Sequence, residues 1–179
     1  MKSKPFFSVV IPTFNRVGIL HISIDSVLNQ SYSNFELVIV DNGSTDNTKD
    51  WLIENYNDKR IRYHYQDGTG TPAGPRNTGI RIAKGKWICL LDSDDYWKSS
   101  KLQIIKEIIT NDNNIDVICH DEFVNYMGKN PNQILNYGPY EKSFYKAMLI
   151  GGNRMSTSAT SIRKLFLDMN NLYFNESKD

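Results

Sequence analysis

The chain has 179 residues, 40% hydrophobic and 23% charged, which suits one globular domain of the usual size and excludes disorder as its main state. Lysine and arginine total 21 against 20 aspartates and glutamates, so the net charge of +1 offers no field to gather nucleic acid or acidic lipid. No apolar run reaches the roughly 18 residues of a membrane span, and the apolar stretch Phe6 to Ile11 is too short for a signal peptide.

Phe6 to Ile11, closed by Pro12, reads as a strand buried on both faces. Leu20, Ile24, Val27 and Leu28 recur at helical spacing between Val17 and Gln30, and Phe35 to Val40 reads as a second buried strand. The turn from Asp41 to Asp46 precedes a helix to Tyr56, with Ser44 or Thr45 as its expected N-cap and Asp46 near its positive end. Ile61 to Tyr65 alternates like a strand. The loop Asp67 to Gly74 is rich in Gly, Thr and Pro, and Pro75 stands where a helix to Lys84 would begin.

Trp87 to Leu91 reads as a fourth strand, and Lys98 to Thr110 as a helix with Leu102, Ile105, Ile108 and Ile109 on one face. Fourfold alternation of strand and helix predicts an α/β fold, a mainly parallel sheet flanked by helices, with its ligand site at the carboxyl ends of the strands. Beyond Asn111 the rhythm changes. Val117 to Cys119 reads as a strand, Met127 to Tyr140 as loop, Phe144 to Ile150 as a short helix, Ser158 to Ile162 as a strand and Lys164 to Met169 as a helix. Cys89 and Cys119 lie inside apolar runs and read as free thiols, which fits a reducing cytoplasm.

Three expected strand ends carry polar residues of no use to a core: Pro12 to Arg16, Asp41 to Gly43, and Asp92 to Asp95. Asp92 and Asp94, on alternate residues of an extended segment, would project to one side, where a hard divalent cation could bridge them. The plainer alternative has Asp94 and Asp95 capping the next helix while Asp92 sits in water. Asp41 could cap its own turn or contact a base. Arg76 could clamp a phosphate or make a surface ion pair. His21, His64 and His120 show no metal-ligand spacing, and no nucleophile elbow, Walker lysine motif or complete G-x-G-x-x-G occurs.

Taken in order, the segments Val9 to Arg16, Val38 to Asp46, Arg76 to Ile80 and Leu90 to Asp95 resemble the family-2 inverting glycosyltransferases, from about Phe6 to Trp97 and more loosely to Glu176. The resemblance implies a single Rossmann-like domain of GT-A type over residues 1–179, with about 1–111 as the donor-binding half and about 112–179 as the start of an acceptor-side half, truncated at its C-terminus. It implies a nucleotide-sugar donor, commonly UDP-linked, bound by Pro12, Thr13, Phe14, Asn15, Asp41, Arg76, Asp92, Ser93 and Asp94. Mn²⁺ or Mg²⁺ would be held by Asp94 directly, with Asp92 nearer the ribose or the metal's water. Asn42 departs from the family's frequent second aspartate.

The implied reaction is a single displacement onto a glycan or lipid-linked acceptor in surface polysaccharide synthesis. Its general base would lie beyond Asp179, since Glu176 and Asp179 are poor matches. A membrane would be met only at the inner face and through a C-terminal part. Two other classes remain open on sequence: a non-catalytic nucleotide-sugar-binding module, and a sugar nucleotidyltransferase, against which Pro12-Thr13-Phe14-Asn15 stands where a Gly-rich basic loop is expected.

Overall fold

A computed structural model describes residues 4–126, 129–138 and 155–177. The expected helix Phe144 to Ile150 lies outside the described residues, as do the ends of the Met127 to Tyr140 segment. In chain order the elements are β1 (Phe7–Thr13), α1 (Leu20–Leu28), β2 (Phe35–Asp41), α2 (Thr48–Asn55), β3 (Ile61–Tyr65), α3 (Ala73–Ile82), β4 (Trp87–Leu90), α4 (Lys101–Asn111), β5 (Val117–Cys119), β6 (Glu122–Tyr126), β7 (Lys129–Leu135), β8 (Thr160–Arg163) and α5 (Lys164–Asn170).

The main sheet runs β3-β2-β1-β4-β8-β5. Its first four strands are parallel and β8 lies antiparallel between β4 and β5. Every residue of β1 and β2 is buried, as their unbroken apolar runs require. Alternation then sorts those side chains to two faces. Val9, Ile11, Leu37, Ile39, Cys89 and Leu91 pack with α1, α2 and α4, whereas Val10, Val38, Val40, Ile88 and Leu90 pack with α3 and α5. Gly79 lets α3 press onto β1: a Cβ there would stand 2.2 Å from Cγ1 of Val10. After β3 the chain crosses back to place β4 on the other side of β1. A crevice therefore opens beyond the carboxyl ends of β1 and β4, where an open α/β sheet binds ligands.

Two helix starts differ from expectation because residues read as a cap or as helix hold a neighbouring segment instead. Ser44 Oγ accepts the Asn15 N–H at 2.9 Å, and the Thr45 N–H donates to Asn15 Oδ1 at 2.8 Å. Neither caps α2. Asp46 takes that task two residues before the helix, accepting from the Thr48 N–H and hydroxyl and also from the Val17 N–H. Asn15 itself is left-handed, at φ 50°, and the chain makes a turn through Arg16 before α1 begins at Leu20. Likewise α4 begins at Lys101, because Lys98 and Ser99 give their carbonyls to Gln30 and Ser31. The helix containing Pro75 starts two residues earlier than expected, and Pro75 stays within the first turn, where its missing N–H has no intrahelical partner to lose.

The segment read as loop from Met127 differs most. Glu122–Tyr126 and Lys129–Leu135 pair as an antiparallel hairpin. Pro131 falls where the register shifts between the Val124 and Tyr126 pairs, and β7 is an edge of a two-stranded sheet, so the missing N–H of the proline is tolerated.

Candidate functional site

A pocket of about 230 Å³ lies in the crevice. Pro12, Thr13 and Phe14 reach it from the end of β1, Arg76 from the first turn of α3, and Asp92, Ser93 and Asp94 from the turn after β4. Seven of the nine residues expected to bind a donor thus line one cavity. Asn15 and Asp41 stand behind its wall. Arg16, Asn42, Pro72 and Pro75 complete the lining and were not among the residues expected to bind a donor, although Arg16 and Asn42 belong to the polar strand ends. Arg16 and Asn42 directly follow expected residues, and Pro75 had been read only as a helix start.

Each polar residue has a defined state. Arg76 Nη2 donates to Asp92 Oδ1 at 2.6 Å and to Thr157 Oγ1 at 3.4 Å, with its side chain 14% exposed. It is neither a surface pair nor a free cation. Thr157 Oγ1 also donates to Asp92 Oδ2 at 2.8 Å, so both oxygens of Asp92 are engaged. The picture of Asp92 in water and of Asp94 and Asp95 capping α4 is overturned: Gln30 Oε1 accepts the Leu102 N–H in the first turn of that helix at 3.0 Å, and the Ser158 hydroxyl donates to Asp95 at 2.5 Å. Burial of Asp95, with Asp92, Asp94 and Glu122 around it, pushes its carboxyl up from the ordinary range. Asp94 differs. Its side chain is 53% exposed, and its cationic neighbour Arg16 stands 3.8 Å away.

Asp41 is buried at 1% exposure, accepts the Ser44 N–H on Oδ1 at 2.8 Å and the Tyr63 hydroxyl on Oδ2 at 2.7 Å. It does hold its own turn, as one sequence reading allowed, helped by Gly43 at φ 88°. The partly buried phenol of Tyr63 is pushed up by desolvation and by this carboxylate. Asn42 Oδ1 accepts from the Gln66 side chain, the Thr69 N–H and the Thr69 hydroxyl, tying the 66–71 loop to the pocket wall. An amide serves here as well as the more frequent aspartate would, without adding a charge.

Among the described residues no group of three or more metal-ligating side chains converges. A cation at this site would therefore need one or two carboxylates plus oxygens of a substrate, which is how Mg²⁺ is often held beside phosphates. Asp94 fits that description, having a half-exposed carboxylate that faces the pocket. Asp92 fits less well, because Arg76 already neutralises it. Among the described residues Thr13 Oγ1 and Arg76 Nε are buried without a hydrogen-bond partner in the same lining, an arrangement suited to a polar ligand rather than an apolar one.

At the far edge of the pocket Asn77, 1% exposed, donates to the Phe174 carbonyl at 2.9 Å and to Glu176 Oε1 at 2.6 Å, and accepts the Phe174 N–H at 2.9 Å. The Phe174 ring lies under the Arg76 guanidinium at 5.5 Å. Glu176 also stands 3.6 Å from Arg81. It is a structural carboxylate in this arrangement.

These features can be set beside known proteins. An uncharacterized glycosyltransferase of Rickettsia felis is 40% identical over 122 residues, 68% of this chain and 20% of its own length. The Escherichia coli UDP-Glc:alpha-D-GlcNAc-diphosphoundecaprenol beta-1,3-glucosyltransferase WfgD is 39% identical over 97 residues, 54% of this chain and 38% of its own. The chain thus spans well under half the length of both relatives. The crystal structure of Staphylococcus aureus TarS 1-349 in complex with UDP-GlcNAc superposes with a TM-score of 0.75, at 23% identity, over 94% of this chain and 48% of that one. That likeness shows a GT-A fold. The sequence model of glycosyl transferase family 2 matches residues 8–168, from the second residue of β1 into α5 and across the whole pocket, and by that match the chain belongs to glycosyl transferase family 2.

Proposed function

We propose that the chain forms the donor site of a metal-dependent, inverting glycosyltransferase that takes a sugar from UDP and delivers it to a glycan or lipid-linked acceptor of a surface polysaccharide. The observation that carries this reading is the convergence of Arg76, Asp92 and Asp94 on one polar pocket at the carboxyl ends of β1 and β4. The names of WfgD, with its UDP-glucose donor and diphosphoundecaprenol-linked acceptor, and of the UDP-GlcNAc complex of TarS support the donor and acceptor classes.

In this reading the β1 end, Pro12 to Phe14, forms the wall for the nucleoside. Asn15 holds that wall through Ser44 and Thr45, and Asp41 stiffens the adjoining turn. Direct contact of Asp41 with a base would require it to exchange the Tyr63 hydroxyl. Asp94 would hold Mn²⁺ or Mg²⁺, and Asp92, held by Arg76 and Thr157, would lie nearer the ribose or the metal's water. Ser93 keeps the two carboxylates on alternate positions. A cation held there would supply charge neutralisation for a departing diphosphate. An acceptor hydroxyl attacks the anomeric carbon from the opposite side, a carboxylate base takes its proton, the bond to the diphosphate breaks, and configuration inverts. The engagement of Glu176 by Asn77 and Arg81 supports a base other than Glu176, which this reading places beyond Asp179.

Thermal unfolding with UDP, UDP-sugars and GDP, each with and without Mn²⁺, tests the reading. Ligand at about 100 times its Kd adds roughly 2.7 kcal/mol, or on the order of 5 to 10 °C for a chain of this size. UDP compounds should stabilise only with metal, and Asp94→Ala should abolish the shift. Equal shifts in Asp94→Ala, or none with any nucleotide, would sink it.

A further inference from the structure

The turn after β4 sets three carboxylates within four residues, Asp92, Asp94 and Asp95, with only Arg76 and Arg16 among them as cations. Such a turn repels itself and needs a fixed frame. Besides Arg76 and Thr157 on the Asp92 carboxylate, the frame comes from Ser158, far along the chain. Ser158, 3% exposed, accepts the Asp92 N–H on its hydroxyl at 3.0 Å and donates that hydroxyl to Asp95. Its carbonyl accepts from Trp97 Nε1 at 2.9 Å and from Lys101 Nζ at 2.6 Å.

Lys101 is the odd member of this set. It opens α4, where a cation opposes the helix dipole, and it is 7% exposed. Among the described residues its amino group has one hydrogen-bond acceptor, the Ser158 carbonyl, and lies 3.7 Å from the centre of the Trp97 ring. Burying an ammonium costs several kcal/mol when no carboxylate pairs with it, and burial pushes this one down to about 7. Asp95, Glu122 and the thiols of Cys89 and Cys119 face it and oppose that fall, while His120 is held low by burial and by Lys101. A methionine or leucine would fill the same space at less cost. The residue is explained by what it holds.

We infer that Lys101 is a positioning residue for the acidic turn, anchoring the Ser158 carbonyl so that the Ser158 hydroxyl fixes Asp92 and Asp95 and leaves Asp94 facing the pocket. The structural part stands on the hydrogen bonds alone, and the consequence for ligand binding rests on the donor-site reading above.

The test follows the backbone amide of Asp92 by NMR, its chemical shift and its hydrogen exchange, in the unchanged chain, in Lys101→Met and in Lys101→Arg, with the amides of Leu37 and Ile39 in β2 as internal reference. Lys101→Met should shift the Asp92 amide and speed its exchange about tenfold while the β2 amides hold, and Lys101→Arg, which keeps a charged donor, should restore both. Where the unchanged chain binds UDP with Mn²⁺, Lys101→Met should weaken that binding roughly 10- to 100-fold, the range found when groups supporting metal ligands are removed. An Asp92 amide unmoved in a folded Lys101→Met chain overturns the proposal, as does undiminished UDP–Mn²⁺ binding. If Lys101→Met does not fold, Lys101→Gln serves in its place. Should the unchanged chain bind no nucleotide, the donor-site reading fails by itself and the Asp92 amide still decides the tether.

Discussion

The sheet has two unlike halves. In β1 and β2 all seven positions are buried and the strands are held by apolar contact on both faces, whereas β5 and β8 have three and four residues and are partly exposed. What the second half lacks in apolar burial it makes up in long-range polar tethers. Thr157 and Ser158 grip the turn after β4, Asn77 grips Phe174 and Glu176, and the Arg163 guanidinium reaches the Asn113 and Ile115 carbonyls before β5. The lesson is that the pocket belongs to both. The first half supplies the residues that face a ligand, and the second holds them at their angles.

The sharpest way to break that contrast is to cut the same kind of side chain in each half. Ile39→Ala in β2 should cost about 2 to 5 kcal/mol, roughly 5 to 20 °C in Tm, because a fully buried site cannot collapse around the loss. Ile162→Ala in half-exposed β8 should cost about 1 kcal/mol or less by the same thermal scan. Equal costs would erase the distinction.

Next in size is a polar tether inside the first half. Buried alone, Glu36 would be raised, but the Ser8 hydroxyl, the Lys84 N–H and Arg62 together bring it below its ordinary 4.5. Its contribution is therefore complete above pH 4.5 and is lost as pH falls through the lower folded value. Glu36→Gln should remove about 2 kcal/mol at neutral pH and flatten the acid limb of stability against pH; an unchanged limb would show that Glu36 does not set it.

A smaller and more local effect is expected at Asn77. Asn77→Ala removes three hydrogen bonds to residues 174–176, which should cost about 1 to 2 kcal/mol and show mainly as faster hydrogen exchange from 172 to 177, with the β1 and β2 amides unmoved. Loss of protection throughout the sheet would mean that the tether is part of the core. Smallest is Arg16→Ala. Both partners of its 3.8 Å pair with Asp94 are about half exposed, so Tm should stay within the scatter of the scan. Titration with UDP and Mn²⁺ should nonetheless show severalfold weaker binding, since Arg16 lines the pocket. The reverse pattern would assign Arg16 to folding.

Legibility followed the same division. Strands β1 to β4 and the helices between them could be read to within a few residues, because apolar run, period and turn chemistry agreed in each unit. The misreadings came from groups with partners far away in sequence: Ser44 and Thr45 read as caps but bonded to Asn15, Lys98 and Ser99 read as helix but with their carbonyls bonded to Gln30 and Ser31. The hairpin was missed because an edge strand tolerates Pro131, a residue that argues against a central one. Of the site, the strand-end residues were legible as a set.

The sequence by itself determined that four strand-and-helix units form a parallel sheet and that polar residues gather at its carboxyl edge, since periodicity and strand-end chemistry are local properties. Only the tertiary structure decided that Arg76 belongs to Asp92, that Asp41 faces Tyr63, and that Lys101 and Ser158 stand beneath the acidic turn. Those pairings join residues 16 to 66 positions apart, and no local pattern encodes them. They are set by where the crossovers deliver each strand end, and by the cost of leaving a buried charge or hydroxyl without a partner once it arrives there.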